Sequence, residues 1–359
     1  MRILHVYKDF APHGGGGGVA RHIHGLAVTL VNAGHTLRIL APLADGGISP
    51  HGYAVVRASA WHLWHHVGWA DVVHVHGART PIAAIAGALA RLRGRRLIYT
   101  PHCYYDDDLA VSKRARKWCW DRLVEKLLLR SAHPTVLLSA YWLDYLSRRQ
   151  LPPRRALLLP NAVLAAEQCL PATPRHALRG TPALLSVGRL DAVKRLQDAI
   201  AALTQPGMDA AVLHVVGRGP DRARLEACAV ALGVAARVHF HGFVNDADVA
   251  AMAAQADVFV LPSAVEGMPT VLIEMLLHGC PVVASDIPGN RSILAQIGLQ
   301  EALHRLGDSA ALAACIGVQR QQRIGQERIA RVQADFTWEG LRAQVLALYD
   351  AQVAQEPAP

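Results

Sequence analysis

Short apolar runs alternate with amphipathic stretches along the first part of the chain. Residues 2–7 are predicted to form a buried strand, and the apolar positions after them recur with helical spacing until Asn32-Ala33-Gly34 ends the helix. Further strands are predicted at 36–41, 72–76 and 97–100, and further helices near 80–92, 113–131 and 140–149. This alternation predicts a doubly wound α/β domain, in which helices cover both faces of a parallel sheet.

The segment 166–182 interrupts this alternation with several prolines and a glycine, and we interpret it as an interdomain linker. The same plan restarts behind it, with strands predicted at 183–187, 211–216, 237–240, 257–261 and 281–284. The chain therefore divides into a first domain, 1–165, and a second, 183–337. A last helix at 338–352 is expected to pack back on the first domain. Ligands of doubly wound sheets bind at the carboxyl ends of the strands, so we expect a ligand between the two domains.

Composition excludes several classes of protein. With 359 residues, of which 52% are hydrophobic and 18% charged, the chain has enough apolar material for two cores and is not disordered. No apolar stretch is long enough to span a bilayer, and the N-terminus lacks the apolar core of a secretion signal, so a cytosolic location is expected. The six cysteines are scattered without closely spaced pairs, which indicates reduced thiols and no structural zinc site.

The net charge of +9 is concentrated in the first half of the chain. Residues 1–165 hold 21 Lys+Arg against 9 Asp+Glu, a balance of +12, and the remainder holds 16 against 19, a balance of −3. The first half is therefore expected to meet an anion, either a nucleic acid, an anionic membrane or a phosphorylated lipid, unless the charge merely solubilises it. The basic amphipathic stretch 112–130 fits a membrane surface or a packing helix, and the arginines at 91–96 favour the membrane.

The segment 263–286 carries the strongest chemical signal. A turn at 266–269 leads into a helix at 270–278 that is apolar on all sides except at Glu274, so we expect a buried carboxylate. A vicinal diol, such as that of a ribose, would supply two hydroxyl donors to this carboxylate. The backbone amides of Gly267, Met268 and Thr270 would point outward at the helix start, toward hydroxyls or a phosphate. Alternatively, Glu274 pairs with a core arginine and Glu266 is a solvated loop acid.

Two cations follow the first strand of the second domain. Arg189 and Lys194 lie where the strand gives way to a helix, and both can reach an anion above the sheet. The next strand ends in a second glycine turn, 216–220, whose glycines permit close backbone approach to a phosphate or simply make the turn.

In this order, the motifs resemble those of the retaining glycosyltransferases of family 4, over nearly the whole chain. In the second half they are Gly-Arg-Leu-x-x-x-Lys at 188–194, Val-Gly-x-Gly-Pro at 216–220, Gly-Phe-Val at 242–244 and Glu-x7-Glu at 266–274. In the first half they are Gly14–Gly18, DVVHVH at 71–76, TPH at 100–102 and PNAV at 160–163. The resemblance implies the GT-B architecture, in which two Rossmann-like doubly wound domains face each other across a cleft.

The resemblance also implies a nucleoside-diphosphate sugar on the second domain. Arg189 and Lys194 would neutralise the departing diphosphate, and Glu274 would hold the ribose hydroxyls. Glu266 and the amides after it would hold the donor sugar. His102 would lie beside the reacting sugar, donating to a hydroxyl or stabilising charge. The remaining substrate-binding positions implied are Gly15, Gly16 and Gly17, which would cover the cleft, and Gly217, Val244, Gly267, Met268, Pro269 and Thr270.

The family implies transfer with retained configuration and no obligatory metal. Stabilising the charge on the leaving diphosphate is the main task, and two cations and helix amides suit it. No carboxylate nucleophile is evident, so a covalent double displacement is not expected. Asp106-Asp107-Asp108 is interpreted as a helix-capping or surface acidic run. His74-x-His76 and His239-x-His241 show no third ligand in the sequence, so no metal site is expected.

The sequence therefore predicts a cytosolic, peripherally membrane-associated enzyme that transfers a hexose-type sugar, with UDP favoured over GDP in the donor. The acceptor is expected to be a glycan or lipid-linked glycan, as in surface polysaccharide or lipopolysaccharide assembly. Arg195 and the Met268-Pro269 pair vary the family pattern and leave the donor sugar open. An epimerase or phosphorylase of similar architecture is the alternative enzyme. A basic nucleic-acid-binding protein is disfavoured, because no nucleic-acid module is recognisable.

Overall fold

The computed structural model describes residues 1–11, 17–42, 46–57, 60–104, 111–168 and 177–350, and the chain divides into two compact units. Unit 1 comprises residues 1–162 together with the segment that begins at Trp338. Unit 2 comprises Val163–Thr337.

Unit 1 contains, within its described residues, an eight-stranded sheet in the order β3-β4-β2-β1-β5-β6-β7-β8. Only β3 runs antiparallel to its neighbour. The strands are β1 (Arg2–Val6), β2 (Thr36–Ala41), β3 (Gly47–Ile48), β4 (Ala54–Arg57), β5 (Val72–His76), β6 (Arg96–Thr100), β7 (Thr135–Leu137) and β8 (Ala156–Leu158). The helices are α1 (Gly17–Val31), α2 (Ala60–Trp69), α3 (Pro81–Leu92), α4 (Val111–Trp120), α5 (Lys126–Ser131) and α6 (Ala140–Arg148), and a π-helical turn, Asp121–Glu125, joins α4 to α5.

Unit 2 contains, in the part of the chain that the structure describes, a six-stranded parallel sheet in the order β11-β10-β9-β12-β13-β14. Its strands are β9 (Ala183–Val187), β10 (Val212–Val216), β11 (Val238–Gly242), β12 (Val258–Leu261), β13 (Val282–Ser285) and β14 (Leu303–His304). The helices are α7 (Ala165–Gln168), α8 (Leu196–Ala202), α9 (Arg222–Ala231), α10 (Asp246–Gln255), α11 (Thr270–Leu277), α12 (Pro288–Gln296), α13 (Ser309–Gln319) and α14 (Gln326–Phe336). A last helix, α15 (Arg342–Tyr349), belongs to unit 1.

The predicted doubly wound α/β fold is confirmed in each unit. The central strands of both sheets are buried on both faces, which is why they appear in the sequence as continuous apolar runs rather than as alternating patterns. The sequence pattern missed β3, β4, β7, β8 and β14, because these strands are short or lie toward the edges of their sheets, where the apolar signal is weak. It also missed the helices α2, α7, α12, α13 and α14.

The last helix begins later than predicted. Residues 338–341 form a turn, and α15 starts only at Arg342, so the predicted start at 338 was wrong. Gly340 lies in this turn, and a glycine lowers helix stability by about 1 kcal/mol relative to alanine. The segment predicted as a linker, 166–182, includes most of α7, and its residues 169–176 lie outside the described part of the chain.

Contacts near both ends of the C-terminal segment attach it to the rest of unit 1. The Trp338 ring, 1% exposed, lies against Gly25 of α1 so closely that a Cβ at Gly25 would lie 1.8 Å from the indole Nε1. The Arg96 guanidinium donates to the carbonyl oxygens of Leu348, Tyr349 and Asp350. Carbonyl oxygens at the end of a helix receive no hydrogen bond from within the helix, so Arg96 supplies the missing donors at the C-terminal end of α15.

The structure bears on two expectations drawn from the sequence, that the cysteines are reduced and that no segment spans a membrane. The cysteines of the described residues are free thiols, at positions Cys103, Cys119, Cys228, Cys280 and Cys315. Among the described residues, no helix combines the length and the apolar character needed to cross a bilayer.

Gly25→Ala is expected to lower the free energy of unfolding of unit 1 by about 2 kcal/mol, because the added methyl group must displace Trp338 from a packed core. All seven tryptophans lie in unit 1, so urea unfolding followed by tryptophan fluorescence reports on this unit. Gly317→Ala is the matched control: it also adds one methyl group inside a helix, α13, but into open space in unit 2, and should leave the tryptophan-detected transition of unit 1 unchanged. A Gly25→Ala midpoint equal to that of the wild type would contradict the packing described for Trp338.

Candidate active site

The loops that follow three parallel strands of unit 2 enclose a small recess. Because parallel strands end at the same edge of a sheet, the loops after β9, β10 and β12 meet there. The recess, called here the β9–β12 recess, is lined by Ser186, Val187, Gly188, Arg189, Lys194, Leu196, Val215, Val216, Leu261, Pro262 and Ser263. The two cations predicted to meet a diphosphate therefore line one concave surface.

Backbone hydrogen bonds hold these loops together. The amide of Gly188 donates to Val216 O at 3.0 Å, and the amide of Gly217 donates to Gly242 O at 2.6 Å. Gly217 adopts φ +132°, and a Cβ there would lie 1.8 Å from Gly188 O. A glycine is therefore required at 217, because the backbones of two loops approach each other closely there. The sequence alone had left two roles open for Gly217, a phosphate contact or a simple turn.

Each predicted cation has a carboxylate partner. Lys194 Nζ lies 2.6 Å from Glu266 Oε1, with the two side chains 24% and 10% exposed. Arg189 Nε lies 2.8 Å from Asp191 Oδ2 and its side chain is 70% exposed. The loops carrying Lys194 and Glu266 are also joined by their backbones, since the amide of Ala264 donates to Val193 O at 2.7 Å. The structure thus brings together Lys194 and Glu266, which the sequence had assigned to different parts of the substrate.

Helix α11 is buried, as predicted from its apolar sequence. Glu274 lies within it and is 6% exposed. The helix begins at Thr270, and Pro269 at its N-cap supplies no side-chain hydrogen bond. The side chains of Met268, Pro269 and Thr270 are buried, and so is that of Val244 after β11, whereas Gly267 is half-buried. The ligand contacts predicted at 267–270 therefore fall on a segment whose side chains are largely buried.

His102 lies in unit 1, just after β6. It adopts φ +64°, a left-handed conformation that costs a non-glycine residue about 1–3 kcal/mol and that clusters at functional sites. The ring is 7% exposed, and its Nε2 lies 3.1 Å from His76 Nδ1. Burial, with a smaller contribution from His22, lowers the pKa of His102 well below its ordinary value, so the imidazole is neutral at pH 7.

His102 belongs to a histidine cluster that the sequence did not reveal. Ligand atoms of His22, His76 and His102 lie within 4.8 Å of one another, and so do those of His5, His74 and His76. The expectation that His74-x-His76 lacks a third convergent ligand was therefore wrong, because neighbouring strands and α1 supply the other rings. Two of the resulting contacts, His5 to His76 and His76 to His102, are direct hydrogen bonds between rings. His239-x-His241 has no such third ligand among the described residues.

A second buried polar cluster supports the loop that carries His102. Glu125, in the π-helical turn, is 1% exposed and accepts hydrogen bonds from the hydroxyls of Tyr99 at 2.5 Å and Tyr104 at 2.7 Å. Burial raises the pKa of Glu125, and the two hydroxyls oppose that shift. Arg79, with φ +55°, donates two hydrogen bonds of 2.8 Å to Asp121. Tyr104 follows His102 by two residues, so this cluster anchors the His102 loop to the π-helical turn.

Some predicted positions cannot be placed. Gly15, Gly16 and Asp106-Asp107-Asp108 lie outside the described residues. Gly17 is described: it is the first residue of α1 and has φ +75°. The sequence analysis did not single out His22, Asn161 or Tyr349. Asn161 lies within the PNAV motif, and the histidines of the HVH motif contact His22 and Tyr349 in the structure.

Two family models match the chain. A model described as "Glycosyl transferase 4-like domain" matches residues 17–162, and one described as "Glycosyl transferases group 1" matches residues 174–312. The first match lies within unit 1 and the second within unit 2.

Named relatives agree with these matches. The chain is 28% identical to a glycogen synthase of Mycobacterium tuberculosis, over 100% of this chain and 97% of the relative. It is 27% identical to a phosphatidyl-myo-inositol mannosyltransferase of Mycobacterium leprae, over 93% of each. Among solved structures, Anabaena HepE in complex with UDP-glucose has a TM-score of 0.77 at 19% identity, covering 96% of this chain and 98% of that one. The chain therefore belongs to the group 1 glycosyl transferases, with a glycosyl transferase 4-like domain in its first half, and it is a GT-B glycosyltransferase enzyme.

Proposed function

We propose that this enzyme transfers a hexose-type sugar from a nucleoside-diphosphate donor with retention of configuration, and that the donor diphosphate binds in the β9–β12 recess. The observation that carries the proposal is the presence of Arg189 and Lys194 in one recess at the carboxyl ends of parallel strands. Glycine turns and strand ends of this kind are suited to anions, because they admit close backbone contact.

The Lys194–Glu266 pair suits a leaving diphosphate. An ammonium group held at 2.6 Å by a carboxylate is fixed before the substrate binds, so little reorganisation is needed when negative charge develops on the phosphate. Arg189 is paired with Asp191, but its side chain is 70% exposed. Because of this exposure, the Arg189 guanidinium is accessible to a phosphate of the donor. In this proposal the carboxylate of Glu266 also faces the donor sugar, and Glu274 within α11 holds the ribose.

No covalent intermediate on a carboxylate is proposed. Glu266 is occupied by Lys194 and Glu274 is buried within α11, so neither is a free nucleophile. The chemistry instead rests on stabilising the departing diphosphate, and it requires no metal ion.

UDP is favoured over GDP as the donor nucleotide. The support is that HepE, which shares the fold, is described in complex with UDP-glucose. A glycan or lipid-linked glycan acceptor, in surface polysaccharide assembly, is supported by the names of relatives that act on glycogen and on phosphatidyl-myo-inositol.

We also propose peripheral membrane contact in the cytoplasm, and the surface of unit 1 supports the membrane contact. On the segment formed by α4, the π-helical turn and α5, three apolar side chains are strongly exposed: Trp118 at 60%, Leu123 at 73% and Leu127 at 55%. Arg116, Arg122 and Arg130 are exposed on the same segment, and Arg122 lies over the Trp118 ring. Exposed aromatic and aliphatic groups interleaved with arginines are typical of segments that lie on anionic bilayers.

Lys194→Met should lower kcat/KM for sugar transfer roughly a hundredfold, because it removes a charge that stabilises the leaving diphosphate. Transfer is measured as release of nucleoside diphosphate in the presence of a glycan acceptor. Arg222→Met is the control, since it breaks the 2.8 Å pair with Glu226 on the exposed face of α9 and should leave turnover unchanged. Near-normal turnover in Lys194→Met would remove the recess as the diphosphate site.

Thermal unfolding should distinguish the nucleotides. UDP at 100 times its dissociation constant stabilises the native state by about 2.7 kcal/mol, so it should raise the melting temperature more than equal concentrations of GDP or ADP. The same shift and the same rate of transfer are expected in excess EDTA. Loss of transfer in EDTA that is restored by a divalent cation would contradict the proposed metal independence, and a larger shift with GDP would reverse the donor preference.

Arg116→Gln combined with Arg122→Gln should weaken binding to vesicles that contain anionic lipid by about thirtyfold, at about 1 kcal/mol for each arginine near the surface. Co-flotation with anionic and with neutral vesicles measures this. Arg305→Gln combined with Arg320→Gln changes the net charge of the chain equally but lies in unit 2, and should have no effect. Binding of the wild type that does not depend on lipid charge would refute the membrane proposal.

A further inference from the structure

A continuous row of hydrogen bonds runs through the interior of unit 1 and ends at His102. In order, it comprises Thr100, His74, Tyr349, His5, His76 and His102, and we call it the imidazole–hydroxyl chain. Thr100 Oγ1 lies 2.7 Å from His74 Nε2, and His74 Nδ1 lies 2.6 Å from the Tyr349 hydroxyl. The hydroxyl lies 3.3 Å from His5 Nε2. His5 Nδ1 lies 2.8 Å from His76 Nε2, and His76 Nδ1 lies 3.1 Å from His102 Nε2.

Strand register explains why these groups meet. His74 and His76 are two residues apart on β5 and therefore point to the same face of the sheet. His5 on β1 lies opposite His74, and Thr100 on β6 lies opposite His76. Tyr349 enters from α15, the helix whose end Arg96 holds in place. The whole row is inside unit 1, and its members are between 0% and 7% exposed.

The four histidines of the imidazole–hydroxyl chain are uncharged at neutral pH. Burial lowers the pKa of His5 to about 3 and lowers the pKa values of His74, His76 and His102 well below their ordinary value, and neighbouring histidines lower the last three further. A neutral imidazole has one N–H donor and one bare nitrogen acceptor. Each ring of the chain must therefore donate on one side and accept on the other, so all bonds of the chain run in the same direction.

Thr100 determines that direction. Its hydroxyl is buried, and His74 Nε2 is its one hydrogen-bond partner among the described residues. If His74 donated to Thr100, the hydroxyl proton would be buried without an acceptor, which costs about 1–3 kcal/mol. If Thr100 donates to His74 Nε2, then His74 donates to Tyr349, Tyr349 donates to His5, and His5 donates to His76. His76 then donates to Nε2 of His102, whose own proton lies on Nδ1.

We propose that the imidazole–hydroxyl chain is a positioning device that holds His102 as the neutral tautomer with its proton on Nδ1. The other end of the ring, Nε2, is occupied by His76, so Nδ1–H is the one donor that His102 offers. A proton held on Nδ1 gives His102 a hydrogen bond to donate to a sugar hydroxyl at any pH at which the chain stays neutral. This role rests on the proposed function, in which His102 lies beside the donor sugar.

The tautomer is measured directly in the full-length protein without substrate. Protonated and bare ring nitrogens of histidine have well-separated ¹⁵N chemical shifts, so long-range ¹H–¹⁵N spectra of protein labelled at histidine report which nitrogen carries the proton. The His102 signals are assigned by their loss in His102→Gln. We expect a protonated Nδ1 and a bare Nε2, and a protonated Nε2 would overturn the proposal whatever the enzyme transfers.

Thr100→Val and Thr100→Ser form a matched pair that tests the chain at its far end. Valine keeps the shape of threonine but removes the donor, so His102 should become a mixture of both tautomers. The kcat for transfer should fall on the order of tenfold, the effect of one lost hydrogen bond, with the KM for the nucleotide sugar within about twofold. Serine keeps the hydroxyl and should preserve both the spectrum and kcat. Tyr349→Phe breaks the chain in the middle and should resemble Thr100→Val.

The failures of the two proposals are distinguishable. If Thr100→Val keeps a single Nδ1–H tautomer, the chain does not set the state of His102, even if the enzyme transfers sugar as proposed. If the tautomer responds as expected but no nucleotide sugar is turned over, the chain stands and the proposed function is wrong. A Thr100→Val protein that fails to fold leaves the wild-type spectrum and Tyr349→Phe to decide, and a Nε2–H signal in the wild-type spectrum is sufficient to reject the chain.

Discussion

Parallel pairing of strands is the constraint on which the sites of this protein depend. A parallel sheet ends all of its strands at one edge, so residues far apart in sequence are brought to neighbouring loops. In unit 2 this places Lys194 and Glu266 2.6 Å apart although 72 positions separate them. In unit 1 it places Arg79 after β5 and His102 after β6, in loops that begin side by side. The fold thus supplies proximity, and the loops supply the chemistry.

The loops can only come this close where the backbone allows it. Gly217 approaches Gly188 O, Gly219 approaches Leu190 O, and a Cβ at Gly289 would lie 2.4 Å from the backbone oxygen of Glu266. Each of these positions follows a strand of unit 2. Side chains there would push the loops apart and would separate Lys194 from Glu266. Because these glycines have no side chain, the loops that carry the charged groups can approach each other closely.

The two units treat polar groups differently. Unit 2 places cations against carboxylates, as in Lys194–Glu266 and Arg189–Asp191, on surfaces that remain partly open to solvent. Unit 1 also contains a buried ion pair, Arg79–Asp121, but it satisfies other deeply buried polar groups with uncharged partners, as in the imidazole–hydroxyl chain and in the hydroxyls around Glu125. Fixed charges suit the stabilisation of a leaving diphosphate, whereas neutral donors suit the orientation of sugar hydroxyls.

Local sequence determined the longer central strands and the alternating α/β plan, the burial of Glu274 and the position of Arg189 and Lys194 after β9, because apolar periodicity and strand ends are properties of short segments. The family motifs added the enzyme class. Tertiary structure decided that Lys194 binds Glu266, that His5, His76 and His102 share hydrogen bonds, and that Trp338 lies on Gly25. These contacts join residues 72, 71, 26 and more than 300 positions apart, and their distances depend on strand register and loop closure, which no pattern within a single segment encodes.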